Sequence, residues 1–195
     1  MLNLEMDARV QAQDGRQARS DLELVAAVNG GDTAAFEALY LRYRDWVVAL
    51  AYRFTGDSDA ALDVLQDTFL YFLKKFPRFR LTANLKTFLY PAVRNLSIAA
   101  RRKTARYQGD EASPGQVEQI AGSQTAFGVT HDLAAALASL SEEHREVIWL
   151  RFVDGLSLAE IAAAAAIPLG TVKSRLHHAL QTLRHDARAQ EFFGR

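Results

Sequence analysis

Apolar residues begin to recur at helical spacing just after residue 20. Ser20, with Glu23 three positions on, has the pattern of a capping box that opens a helix, and Leu24, Val25 and Val28 supply its apolar face. Gly30 and Gly31 end it. Asp32 can cap a second helix, along which Phe36, Leu39, Tyr40, Tyr43, Val47, Leu50 and Phe54 form one stripe, with Gly56 as the stop. Asp57 or Ser58 caps a third helix, closed by Pro77, whose expected buried stripe is Leu62, Leu65, Phe69, Phe72, Leu73 and Phe76. A fourth is expected from about Thr82 to about Lys103, kinked where Pro91 removes a backbone donor.

The periodicity then dissolves. GDEASPGQ and AGSQTAFG are rich in turn formers and read as a flexible linker over 107–130. Helical spacing returns with Leu133, Leu137 and Leu140. Ser141, Glu142 and Glu143 start another helix, with negative charge at its positive end, and Val147, Ile148, Leu150 and Phe152 are expected to pack inward before Gly155 breaks it. Ser157 and Glu160 form a second capping box ahead of Ile161. Ile167, Pro168, Leu169 and Gly170 make a tight connection. A last helix is expected from Thr171 to about Arg184, with Val172, Leu176, Ala179, Leu180 and Leu183 on its inner face. No stretch shows the alternation of a strand. The expected fold is all-α: two small helical domains, 20–106 and 131–190, joined by the flexible linker, with a mobile tail at 1–19 and a short tail at 191–195.

Composition adds exclusions. The 195 residues contain no Cys, so there is neither a disulfide framework nor a thiolate zinc site. The first twenty residues lack the apolar core of a signal peptide, and no apolar run is long enough to span a bilayer. A cytoplasmic protein without membrane insertion is expected. The five His fall in no metal-binding spacing, and no nucleophile elbow, phosphate-binding glycine loop or catalytic carboxylate pair stands out. No catalytic residue, metal or cofactor is assigned, and an enzyme is not expected.

Net charge is zero, but its distribution is uneven. From Thr68 to Gly109 there is no Asp or Glu, while the same stretch holds ten of the 23 basic residues. Within it, Phe79, Arg80, Asn84, Lys86, Thr87, Phe88, Tyr90, Arg94 and Asn95 combine groups that track phosphates with groups that hold unstacked bases. Arg101, Arg102, Lys103 and Arg106 suit a nucleic-acid backbone. Near the C-terminus, a helix, a short turn and a second helix can place that second helix in a major groove. Thr171, Ser174, His178 and Gln181 lie opposite its buried stripe, flanked by Lys173, Arg175, His177 and Arg184, all suited to base edges and phosphates. A helical hairpin with a solvated polar face fits the same spacing. On the third helix Asp63, Gln66, Asp67 and Leu70 share the face away from the core, which by spacing alone is an ordinary solvated face.

Two stretches carry a family resemblance. LSEEHREVIWLRFVDGLSLAEIA and IPLGTVKSRLHHAL resemble region four of the extracytoplasmic-function sigma factors. FEALYLRYRDWVVALAYRFTGDSDAALDVLQDTFLYFLKKFPRF and TFLYPAVRNLSIAARRK resemble region two of the same family. The resemblance implies a promoter-recognising, promoter-opening subunit of RNA polymerase. Asp63, Gln66, Asp67 and Leu70 would meet the coiled coil of the polymerase's largest subunit, with a further contact to the flap region. Phe79 through Asn95, as named above, with Arg101, Arg102 and Lys103, would hold the opened minus-ten element. Thr171, Lys173, Ser174, Arg175, His177, His178 and Gln181 would read the minus-thirty-five element. An anti-sigma factor is a common partner in the family. The chain departs from the usual pattern with Phe88 in place of Trp, with Pro91, with Ala99 where Asp is common, and with Ala164, Ala165 and Ala166 where bulkier residues and a turn Gly are usual. Two rivals remain: a free-standing helix-turn-helix regulator, which leaves the N-terminal half idle, and a nucleic-acid enzyme, which lacks a catalytic constellation.

Overall fold

A computed structural model describes residues 19–108 and 137–185; the side chains of 107 and 108 are outside it. The described residues are helical, without strands. The N-terminal half contains α1 (Asp21–Asn29), α2 (Thr33–Thr55), α3 (Ser58–Leu73) and α4 (Leu85–Gln108). The C-terminal half contains α5 (Glu142–Ile148), a π-helical turn (Trp149–Val153), α6 (Leu158–Ala165) and α7 (Leu169–His185). Most of the expected linker, the tail before residue 19, Leu133 and the C-terminal tail lie outside the described residues. No helix among the described residues is long and apolar enough to cross a membrane.

The caps follow the sequence. Ser20 and Glu23 bond reciprocally at the start of α1, and Ser157 and Glu160 do the same for α6. Asp32, Asp57 and Ser141 cap α2, α3 and α5 through their side chains. Asp57, rather than Ser58, is the cap of α3. Gly56 ends α2 in the left-handed conformation, φ 68°, which costs a residue without Cβ little.

Four boundaries or faces differ from expectation. On α3, Leu62 and Leu73 are 53% and 47% exposed. The core side is instead carried by Ala61, Val64, Leu65, Thr68, Phe69 and Phe72. Small residues let the neighbouring helices approach on that side, so the stripe is displaced from the bulkiest side chains. The fourth helix starts at Leu85, with Asn84 as its cap: the Lys86 N–H donates to Asn84 Oδ1 at 3.0 Å. It contains Pro91 and continues to Gln108, into what was expected to be linker. Phe152 is 58% exposed, not inward. The π-helical turn is the reason. The Asp154 N–H reaches back five residues to the Trp149 carbonyl at 3.0 Å, and the extra residue in that turn rotates Phe152 and Val153 outward. Leu150 and Leu156 fill the core in their place. Finally, α7 begins at Leu169 rather than Thr171, with the Val172 N–H donating to the Pro168 carbonyl.

Ala166 ends α6 at φ 55°, ψ 42°. A Cβ in this conformation costs about 1–2 kcal/mol, part of which glycine recovers in spite of its freer unfolded state. Ala166→Gly is expected to stabilise the chain by about 0.5–1 kcal/mol, read as a higher urea midpoint at unchanged slope.

The two halves do not stand apart. One apolar cluster runs from Leu24, Leu39, Val47, Leu50, Phe72, Leu85 and Leu89 into Val147, Leu150, Leu156, Ile161 and Val172. A second, smaller cluster of Leu137, Leu140, Ile148, Ala179 and Leu183 holds α5 and α7 together. The halves are in contact in this structure, with α6 packed on α4.

Candidate nucleic-acid interface

The polar face of α7 forms as the spacing implies. Val172, Ala179 and Leu183 are buried, Leu176 and Leu180 half-buried. Lys173, Ser174, His177, His178 and Gln181 are exposed, and Thr171 is half-buried. The Arg175 guanidinium lies 2.9 Å from Glu143 of α5. Glu143 is largely exposed, so this pair is weak and easily exchanged for another anion. The exposed surface of α7 therefore presents amide, hydroxyl, imidazole and cationic groups on one side of a helix held rigidly by its other side.

The α4 face is arranged differently. Arg80, Asn84, Asn95, Arg102 and Lys103 are exposed; Lys86, Thr87, Phe88, Arg94 and Arg101 are half-buried; Phe79 and Tyr90 are buried. Phe79 belongs to an aromatic cluster with ring-centroid distances of 5.2 Å to Phe72, 5.6 Å to Phe76 and 4.6 Å to Phe88. The expected base contact at Phe79 is thus a core side chain in this conformation. Phe88 sits at the cluster's rim and stacks on the exposed Tyr71, at 5.9 Å and 13°, with the Lys75 ammonium 4.3 Å from the Tyr71 ring. At the far end of the helix, Arg102, Lys103 and Arg106 line an open concavity. No acidic residue occurs on α4, so nothing on the helix itself offsets this charge.

On α3, Asp63, Gln66, Asp67 and Leu70 are all exposed on the side away from the core. Leu62 and Leu73 join them. The result is a carboxylate pair set among three exposed leucines.

Sequence reasoning missed the seam between the halves. Asp154, 4% exposed, follows the π-helical turn. Its carboxylate accepts from Trp46 Nε1 at 2.8 Å and from Arg53 Nη2 at 2.9 and 3.1 Å. Its backbone carbonyl accepts from Lys86 Nζ at 2.8 Å. The Arg53 guanidinium lies 5.0 Å from the centre of the Trp149 ring. Tyr90 donates its hydroxyl to Glu146, and Arg94 Nε lies 3.4 Å from the same carboxylate. Burial is the main cause that drives the Tyr90 hydroxyl above its ordinary range, with Glu146 adding to it. Burial also lowers the Lys86 ammonium, against the pull of Asp154. No periodicity marks these residues. Trp46 and Arg53 lie beside the apolar stripe of α2, and Asp154 falls in a break between helices, so only the packed halves bring them together.

Two helical units of this kind, an N-terminal bundle with an acid-free basic helix and a C-terminal helix-turn-helix, define a class of DNA-associated proteins. Residues 39–107 match Sigma-70 region 2, and residues 136–185 match Sigma-70 region 4. The chain is 32% identical over 177 residues to the ECF RNA polymerase sigma factor SigW of Bacillus subtilis, covering 84% of this chain and 95% of that protein. It is 36% identical over 165 residues to the ECF RNA polymerase sigma factor SigL of Mycobacterium tuberculosis, covering 82% and 93%. Among solved structures it resembles the sigma factor RpoE of Bartonella quintana, determined with the anti-sigma factor NepR, with a TM-score of 0.57, 28% identity and coverage of 82% of this chain and 96% of that one. The chain belongs to the ECF RNA polymerase sigma factors, and its role is in RNA polymerase-associated transcription initiation. The N-terminal half is its region two and the C-terminal half its region four.

Proposed function

We propose that the chain directs core RNA polymerase to promoters by reading the minus-thirty-five element with α7 and capturing the opened minus-ten element along α4. One observation carries this reading: a single chain holds, in the family's order, an acid-free basic helix bordered by aromatic side chains and a second helix whose polar face is exposed. Thr171, Lys173, Ser174, Arg175, His177, His178 and Gln181 offer donors and acceptors to base edges and phosphates. Arg101, Arg102 and Lys103 follow the backbone, and Arg80, Asn84, Lys86, Thr87, Phe88, Arg94 and Asn95 surround the place where unstacked bases would be held. Flipping a base out costs a few kcal/mol, so a receiving surface is required for opening. Asp63, Gln66, Asp67 and Leu70 dock the polymerase's largest subunit, and region four meets the flap. The chain contributes recognition and leaves the chemistry to the polymerase.

An anti-sigma factor is a further partner of this reading, supported by the Bartonella quintana neighbour, which was solved with one. Gel filtration with core polymerase separates the proposal from a free-standing helix-turn-helix regulator. Co-elution with core is the expected result; elution of the chain apart from core would overturn the proposal.

A further inference from the structure

The loop that leads into the basic helix is held at few points. Residues 74–84 join α3 to α4. Phe79 is buried in the aromatic cluster and Leu81 is half-buried against the same core, whereas Arg78, Arg80, Thr82 and Asn84 are exposed. Side chains from 79 to 81 thus alternate in and out, as in an extended segment, and a slip of one residue would exchange the two sets. One polar contact fixes the register. Asn29 Nδ2 donates to the Phe79 carbonyl at 2.8 Å. Among the described residues, no other hydrogen bond engages the backbone of 77–83.

Asn29 is a fixed base for that contact. It is the last residue of α1, whose Leu24, Val25 and Val28 are buried. Backbone bonds close the turn behind it: the Gly30 N–H donates to the Ala27 carbonyl at 3.0 Å, the Gly31 N–H to the Val28 carbonyl at 2.9 Å and the Asp32 N–H to the Ala27 carbonyl at 3.0 Å. The other end of the amide is unsatisfied: Asn29 Oδ1 is buried with no hydrogen-bond partner among the described residues. A buried acceptor left unpaired costs free energy, which an apolar side chain at this position would avoid. What the amide contributes against that cost is its bond to the loop.

We propose that Asn29 is a positioning residue for recognition of the minus-ten element. By holding the Phe79 carbonyl it keeps Phe79 and Leu81 inward and Arg80 outward. It also fixes the approach to Asn84, whose side chain caps α4 by accepting from the Lys86 N–H at 3.0 Å. From 50 positions earlier in the chain, Asn29 sets base preference through these residues rather than by touching DNA. The helix α1 thereby takes part in promoter choice, beyond its share of the core. The inference rests on the minus-ten assignment of Arg80 and Asn84 made above.

Two variants test it. Asn29→Asp keeps the size of the side chain and replaces the donor with an oxygen that repels the Phe79 carbonyl. Asn29→Ala removes the amide altogether, so a folding defect in one leaves the other informative. In the free chain, trypsin should cut after Arg78 and Arg80 about fivefold faster in both variants than in the parent, because a loosened loop spends more time open. Holoenzymes saturated with each chain then transcribe a promoter used by the parent, and copies of it with one base pair substituted in the minus-ten or the minus-thirty-five element. The yield ratio between the intact promoter and the minus-ten copy is expected to fall about tenfold in the Asn29 variants. The ratio for the minus-thirty-five copy and the affinity for core should match the parent. An asparagine that only stabilised the fold would lower all yields together and leave both ratios unchanged; that result, or unaltered cleavage at the loop, overturns the proposal. Holoenzyme carrying Arg80→Ala with Asn84→Ser, in which serine retains a cap for α4, separates the two levels. If it loses minus-ten discrimination and the Asn29 variants do not, the positioning role falls and the minus-ten assignment stands. If neither loses it, the assignment of Arg80 and Asn84 falls, and the positioning role with it. Loss in the Asn29 variants alone also overturns the proposal, because Asn29 would then not act through those side chains.

Discussion

Changing Asp63 and Asp67 together to lysine is expected to weaken binding to core RNA polymerase by at least about a hundredfold, because replacing attraction with like-charge contact costs several kcal/mol at an interface. Both carboxylates are exposed on α3, one helical turn apart and clear of the core. Leu62, Leu70 and Leu73 beside them are 53%, 46% and 47% exposed. Three leucines of this exposure on one helix form an apolar patch of the kind that marks a protein contact, and the carboxylates would orient it on a basic partner. Because neither Asp side chain bonds within the core, folding stability should change by no more than about 0.5 kcal/mol. Titration of labelled chain with core polymerase measures the first quantity and urea unfolding the second. Unchanged affinity for core would remove the α3 assignment.

Replacing Ser174, Arg175 and His178 by alanine should abolish promoter-specific initiation while leaving binding to core intact. Each lost base or phosphate contact is worth about 1–3 kcal/mol, so three together reduce promoter-specific transcription by at least about a hundredfold. The helix itself should survive. Alanine is the best helix former, and the buried residues Val172, Ala179 and Leu183, which hold α7 in place, are untouched. Arg175 forfeits only its partly exposed pair with Glu143. The measurement is transcript yield with the variant saturating on core. Yields equal to the parent at every promoter would show that α7 does not choose the promoter.

Much of this architecture is legible in the sequence, for identifiable reasons. Caps are local: Ser20 with Glu23 and Ser157 with Glu160 need only each other and the intervening turn, and both boxes form as the spacing implies. The polar face of α7 is equally local, because one apolar stripe fixes the opposite side. The failures arise where tertiary packing chooses among apolar residues. Leu62 and Leu73 look as suited to burial as Leu65, yet Ala61, Val64 and Thr68 let the helices approach more closely, and the leucines remain outside. Phe152 is lost to the core through one extra residue in a turn, which no apolar spacing announces. Phe79, placed among DNA contacts because it lies in a basic stretch, is an aromatic-cluster residue. The seam is the least legible part. Asp154 meets Trp46, 108 positions away in sequence, and a pattern confined to one helix contains nothing about its partner. The ordinary expectation for a buried aspartate is a paired one, but its pairing with the other half of the chain is visible only in the fold.

If this chain confers promoter choice on RNA polymerase, transcript starts across a whole genome will depend on it. Run-off transcription on fragmented genomic DNA from the source organism, followed by sequencing of those starts, measures this without choosing any promoter in advance. Core polymerase with the parent chain should give a discrete set of starts sharing upstream elements at two fixed spacings. Core alone, the chain alone, and core with the Ser174, Arg175 and His178 alanine variant should not give that set. Starts that are the same with and without the chain would contradict the account.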